Sequence, residues 1–145
     1  YGYTAARLAN GVTNFEKVGR ILPKEVGSFP YQKVELVGRT IKGNISILDV
    51  QYGNVWTNIT GDLLAQLKPV YGDVFHVIIF HNKQKVYEGN APYSQTFGAV
   101  AKGKPLCYLN SLLQFSVALN MGNFAAKYKV ESGSEWSIEI KKVVK

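Results

Sequence analysis

Along most of the chain, apolar residues fall at every second position in short runs, and turn-forming residues separate the runs. This alternation marks half-buried strands, whose successive side chains point to opposite faces. The stretch "KVELVGRTIKGNISILDV", 33–50, predicts one or two strands, and "DVFHVIIFHNKQKVYE" predicts a hairpin joined across His81–Gln84. "KPLCYLNS" and "FSVALN" predict two more strands, and "EWSIEIKKVV" predicts the last. Helical spacing is brief. It covers "TAARLANG", with a stop near Asn10–Gly11, "GDLLAQL", stopped by Pro69, and "GNFAAKY", 122–128. The expected fold is therefore mainly β: an antiparallel β-barrel with short helices.

One stretch breaks the alternation at the front. "ILPKEVGSFPYQ", 21–32, carries two prolines and two glycines and predicts an extended segment with no core of its own. The barrel domain is expected to span 33–145, with 1–32 as an approach segment that packs on something else. The first residue is Tyr1 rather than Met, which points to a processed or engineered product, or to a fragment of a longer chain.

Composition narrows the class. At 145 residues, with 46% hydrophobic and 19% charged residues, the chain is long enough to bury a core and too apolar for disorder. The longest apolar run, Val74 to Phe80, is interrupted by His76 and is too short to cross a bilayer as a helix. No charged region followed by an apolar one opens the chain as a secretion signal would. The single cysteine, Cys107, cannot form an internal disulfide; it is expected to be a buried small hydrophobe in a cytoplasmic protein. A charge of +7 suits an anionic partner, but the lysines are scattered, clustering only at "KKVVK".

Few catalytic motifs are compatible with these residues. His76 and His81 stand five apart in a strand-like run, so they are expected on opposite faces and without a shared metal. No phosphate loop, dinucleotide fingerprint or hydrolase motif occurs. What remains is polar and aromatic. Asp49 ends the run "ISILD" and can either close a turn on its own backbone or receive a ligand ammonium. Asn54 can be hairpin chemistry or can pair with a heterocycle edge, and Tyr52 and Trp56 can be core aromatics or stacking platforms. Further on, "YSQTFGAV" places Phe97 beside a glycine in a loop, and Ser111 sits in a turn after an apolar strand. Asn120 is expected to cap the helix of "MGNFAAKY", leaving free N–H groups near Met121 and Gly122 for an acceptor.

Taken together, "LDVQYGNVWTNI", "TFGAV" and "YLNSLLQFSVALNMGNFAAKY" resemble the C-terminal β-barrel domain of the S-adenosylmethionine hydroxide adenosyltransferases, relatives of the fluorinating and chlorinating adenosyltransferases. The resemblance implies that Asp49 holds the methionine amino group and Asn54 reads the adenine edge. It implies that Tyr52 and Trp56 line the site and Phe97 stacks on adenine. Ser111 would contact the methionine carboxylate, and a backbone group at Met121 would meet the base. Leu112 and Leu119 depart from the halogenating relatives, which carry basic residues there, so a halogenase becomes the less favoured assignment. The implied reaction uses S-adenosylmethionine as substrate, needs no cofactor or metal, and gives adenosine and methionine by attack of water or hydroxide at the 5′ carbon. In that family an N-terminal domain of the neighbouring subunit in a homotrimer completes the site, so residues 1–32 would be the end of that domain plus a linker, and this chain alone would be inactive.

Two other classes stay open on the residues alone. A stand-alone barrel binding single-stranded nucleic acid would use the charge and the nine tyrosines. It needs cations interleaved with Tyr52, Trp56 and Phe97, which the sequence lacks. A structural oligomerisation module would make the same aromatics core.

Overall fold

The computed structural model describes residues 1–25 and 32–144. The barrel is a sheet path of β5 (Gln84–Pro92), β4 (Val74–His81), β8 (Trp136–Lys142), β2 (Thr40–Asp49), β3 (Asn54–Thr60), β7 (Gln114–Leu119) and β6 (Pro105–Leu109), all antiparallel, with β1 (Glu35–Val37) paired on β2. Among the described residues there are three α-helices: α1 (Gly2–Ala9) ahead of the barrel, and α2 (Gly61–Ala65) and α3 (Phe124–Tyr128) between its strands. The 33–50 stretch thus makes two strands, and the 73–88 hairpin turns at Asn82–Lys83, both at positive φ. Asn and its neighbour tolerate this left-handed turn because it matches the twist of the flanking strands.

The long strand β2 joins the two halves of the sheet. Its first half pairs with β8 from Thr40 to Asn44, and its second pairs with β3 from Ile45 to Asp49. The chain shifts register between Ile45 and Ile47, a bulge that bends the strand around the core. At Gly43 the crossing is tight enough that a Cβ would overlap the Ile59 side chain. The two ends of the path, β5 and β6, nearly close on each other: Tyr93 meets Cys107 in a parallel bridge, and Ser94 N–H donates to the Cys107 carbonyl at 2.9 Å.

The interior follows from the alternation. Phe75, Val77 and Ile79 of β4 and Ile138 and Ile140 of β8 are fully buried, and the intervening residues face outward. Phe75 meets Phe115 of β7 edge-on, with ring centroids 5.6 Å apart. Each such aromatic removed from water contributes about 1.5–3 kcal/mol. Thr57 is polar yet fully buried, because its hydroxyl donates to Phe115 O at 2.7 Å and accepts from Ile59 N–H at 3.1 Å.

Cys107 lies in the barrel wall, and burial raises its thiol pKa well above the ordinary range, so it stays protonated. Cys107 is therefore expected to resist a thiol reagent at pH 8 until the barrel unfolds. Labelling of the native protein at the rate of a free thiol would contradict this burial.

No residue of the described 1–25 stretch is buried, and Tyr1, Tyr3, Phe15, Ile21 and Leu22 are exposed. Of the expected extended segment 21–32, residues 26–31 lie outside the described residues, and 21–25 and Gln32 form no helix or strand. Gln32 is already tied to the barrel: its Nε2 donates to Ser134 O at 3.0 Å, and its carbonyl accepts from Asn58 Nδ2 at 2.7 Å. No described helix is long and apolar enough to cross a membrane.

Candidate functional site

The turn between β2 and β3 sets the geometry. The main-chain carbonyl of Asp49 accepts from Tyr52 N–H at 3.2 Å and from Gly53 N–H at 2.6 Å, so the carbonyl, rather than the carboxylate, closes this turn. The carboxylate is left to accept from Asn54 Nδ2 at 3.2 Å. Gly53 stands at φ +69, and a Cβ there would overlap the Asn123 carboxamide. Its carbonyl accepts from Ala125 N–H at 3.0 Å, so the turn is docked on the first turn of α3.

Asn123 caps α3, its Oδ1 accepting from Ala126 N–H at 2.7 Å. This corrects the expectation for Asn120, whose Nδ2 instead donates to Val100 O at 2.7 Å. Asn120 O accepts from Gly103 N–H and Asn120 N–H donates to Lys104 O, so the residue latches the β5–β6 loop to the end of β7. The helix accordingly begins at Phe124, and the N–H of Gly122 is taken by Leu119 O at 3.4 Å. Among the described residues, only the Met121 N–H of the expected pair is left without a hydrogen bond.

Strand register places the other groups. Val55, Val117 and Cys107 face the core, so Asn54 and Trp56 of β3, Ser116 of β7 and Tyr108 of β6 face outward. Ser116 pairs with both Trp56 and Tyr108, and the two aromatics flank it. The β5–β6 loop crosses this outer face, and Phe97, in a short turn Phe97–Ala99, rests on Tyr108 with ring centroids 5.0 Å apart. Burial chiefly raises the Tyr108 phenol above its ordinary range; the polar groups of Trp56, Ser116 and Asn54 act against this, and the Asp49 charge adds to it.

Tyr52, Asn54, Phe97 and Met121 come together around one open hollow of about 320 Å³, with Gln51 and Asn123 on its rim. Tyr52 and Met121 present exposed side chains, whereas Asn54 is only 5% exposed. Asp49 opens on an adjoining hollow of about 510 Å³ that shares Asn123 and includes Gly53 and Lys129. Trp56 is half-buried on β3 beyond Asn54, and its buried indole N–H has no hydrogen-bond partner among the described residues. Ser111 lies apart from both hollows. It is exposed in the β6–β7 turn, at the opposite end of β7 from Met121, in a turn held by Asn110 Oδ1 accepting from Leu112 and Gln114 N–H.

Sequence reasoning missed Tyr108 and Asn123. The signal for Tyr108 was its place next to Cys107 in "PLCYL", since alternation sends the neighbour of a buried residue outward. His76 and His81 take separate partners, Glu88 at 3.1 Å and Glu135 at 3.3 Å. Among the described residues no three histidines, cysteines or carboxylates gather as a metal site would require.

A small antiparallel barrel with a pocket of amides and aromatics at its rim defines a class: a β-domain with a polar-aromatic recess on its outer face. The chain belongs to the SAM hydroxide adenosyltransferase C-terminal domain family, SAM being S-adenosylmethionine, whose model matches residues 43–137 and so takes in the whole site. The "Fluorinase" of Actinopolyspora mzabensis is 31% identical over 132 residues, covering 89% of this chain and 42% of that protein. The "Fluorinase" of Nocardia brasiliensis is 31% identical over 139 residues, covering 94% and 45%. An uncharacterized conserved protein from Thermotoga maritima has a crystal structure that superposes with a TM-score of 0.67 at 31% identity, over 94% of this chain and 48% of that one. The chain spans less than half the length of the curated relatives it matches.

Proposed function

We propose that this chain is the substrate-holding half of an S-adenosylmethionine hydrolase site. The observation that carries the proposal is the convergence of Tyr52, Asn54, Phe97 and Met121 on one hollow, beside a carboxylate that the turn does not use. Adenine would lie between Asn54, Phe97 and the Met121 backbone, and the Asp49 carboxylate would take the methionine ammonium. A water or hydroxide oxygen bonds to the 5′ carbon as the carbon–sulfur bond breaks. The bonding pair stays on sulfur, which leaves as the neutral thioether of methionine, and the water proton passes to solvent. Because the sulfonium is already an activated leaving group, positioning and exclusion of bulk water supply the catalysis.

The residues that hold the attacking water would belong to an N-terminal domain of a neighbouring subunit in a homotrimer, with residues 1–32 as the end of such a domain and its linker. Family membership and the length of the relatives support this assignment. Among the described residues, no lysine or arginine lines the Tyr52–Phe97 hollow, which suits a nucleoside better than a phosphodiester chain.

The test is product analysis with S-adenosylmethionine, in chloride and in fluoride buffers. The form made by the producing cell is expected to release adenosine and methionine in equal amounts and no 5′-halogenated nucleoside. The 145-residue chain alone is expected to release none. Rapid adenosine release by the short chain would overturn the half-site, and no adenosine from the cellular form would overturn the hydrolase.

A further inference from the structure

We infer that Tyr108 is a positioning residue that locks two walls of the nucleoside hollow together; the inference rests on the nucleoside reading above. The hollow has walls from three parts of the chain: the β2–β3 turn with β3, the loop between β5 and β6, and the segment after β7. Asn54 and, beyond it, Trp56 come from β3, while Phe97 comes from the loop between β5 and β6. The short turn bearing Phe97 has no side-chain cap from Thr96, so that cap does not fix it. Its one ring partner among the described residues is Tyr108, 5.0 Å away and inclined at 58°. Tyr108 in turn belongs to β6, whose register sets it across Ser116 from Trp56.

Register thus puts the Tyr108 side chain on the same outer face as Trp56, with Ser116 between them. Among the described residues the buried indole N–H of Trp56 has no hydrogen-bond partner, and an unpaired buried donor is destabilising. The Tyr108 hydroxyl is the oxygen that can satisfy it. Asn54, two residues before Trp56 on β3, lies on that same outer face. One side chain would thus support the Phe97 ring through its own ring and set Trp56 and Asn54 through its hydroxyl. It need not touch the ligand.

Two substitutions separate these roles. Tyr108→Phe keeps the ring under Phe97 and removes the oxygen, and Tyr108→Leu removes both. The experiment titrates adenosine into the cellular form, followed by tryptophan emission and by calorimetry, with thermal midpoints recorded for each variant. The expected result is a dissociation constant raised about 10-fold in Tyr108→Phe, as for loss of one buried hydrogen bond, and further in Tyr108→Leu. The KM for S-adenosylmethionine should rise in step while kcat changes less than about 2-fold. In a Trp56→Phe background, which lacks the N–H, Tyr108→Phe should add little, because the two act as one unit. A purely structural role would lower the thermal midpoint without this non-additivity. Wild-type binding that both variants leave unchanged, or additive effects of Trp56→Phe and Tyr108→Phe, would overturn the role of Tyr108 alone. Failure of the wild type to bind adenosine would overturn the nucleoside reading, and the inference with it.

Discussion

Gly53→Ala is expected to lower the thermal midpoint by about 10 °C and to weaken nucleoside binding as well. Two costs add. Alanine at φ +69 sits in the left-handed region, where an L side chain costs about 1–2 kcal/mol. The new Cβ also overlaps the Asn123 carboxamide, and that group cannot swing away freely because its oxygen caps α3. Displacing it forfeits an N-cap worth about 1 kcal/mol and loosens the Ala125 N–H bond to Gly53 O. A total of about 2–4 kcal/mol corresponds to a shift of that size for a domain of this length. Tyr52 and Asn54 flank Gly53, so the same distortion moves two walls of the hollow. Asn123→Ala alone should cost only the cap. In the Asn123→Ala background Gly53→Ala should cost less, since the clashing atoms are gone. Thermal melts of the four proteins check this, and a Gly53→Ala cost below about 1 kcal/mol would show that the turn does not depend on its docking against Asn123.

That coupling also shows where the sequence stops being legible. The strands could be read because burial on one face imposes a period of two, and β4 and β8 alternate in the barrel as their residues do in the chain. The hairpin joined across His81–Gln84 could be read because two β-rich runs flank it, and Asn82 suits its left-handed turn. Asp49, Tyr52 and Asn54 are clustered in sequence, so their neighbourhood was visible before any fold was known. The choice between Asn120 and Asn123 as helix cap was not visible. Both precede the same apolar turn, and only the long-range bond from Asn120 to Val100 decides it. Tyr108 was hidden for a related reason: its partners Phe97, Trp56 and Ser116 come from three other segments, brought together by sheet register. Barrel closure through Tyr93 and Cys107 is equally non-local.

Asp49→Asn is expected to raise KM for S-adenosylmethionine about 100-fold while leaving adenosine affinity within about 2-fold and the thermal midpoint unchanged. The fold tolerates the change because the Asp49 main-chain carbonyl closes the turn, and the carboxylate makes no bond to the backbone. An asparagine oxygen can still accept from Asn54 Nδ2, so the amide that would read adenine stays in place. What is lost is the negative charge. A hydrogen bond between an ammonium and a carboxylate contributes about 1.5–3 kcal/mol, or roughly 10- to 150-fold in affinity. Adenosine has no ammonium, so its binding should not register the change, and that contrast separates the two ends of the proposed substrate. Steady-state kinetics, adenosine titration and thermal melts of the one variant in the cellular form are sufficient. If the melting midpoint falls and KM does not move, the carboxylate serves the fold, and the ammonium must be held elsewhere. If both ligands weaken equally, Asp49 acts through Asn54 on the adenine end, and the assignment of the two hollows to the two ends of the substrate would have to be reversed.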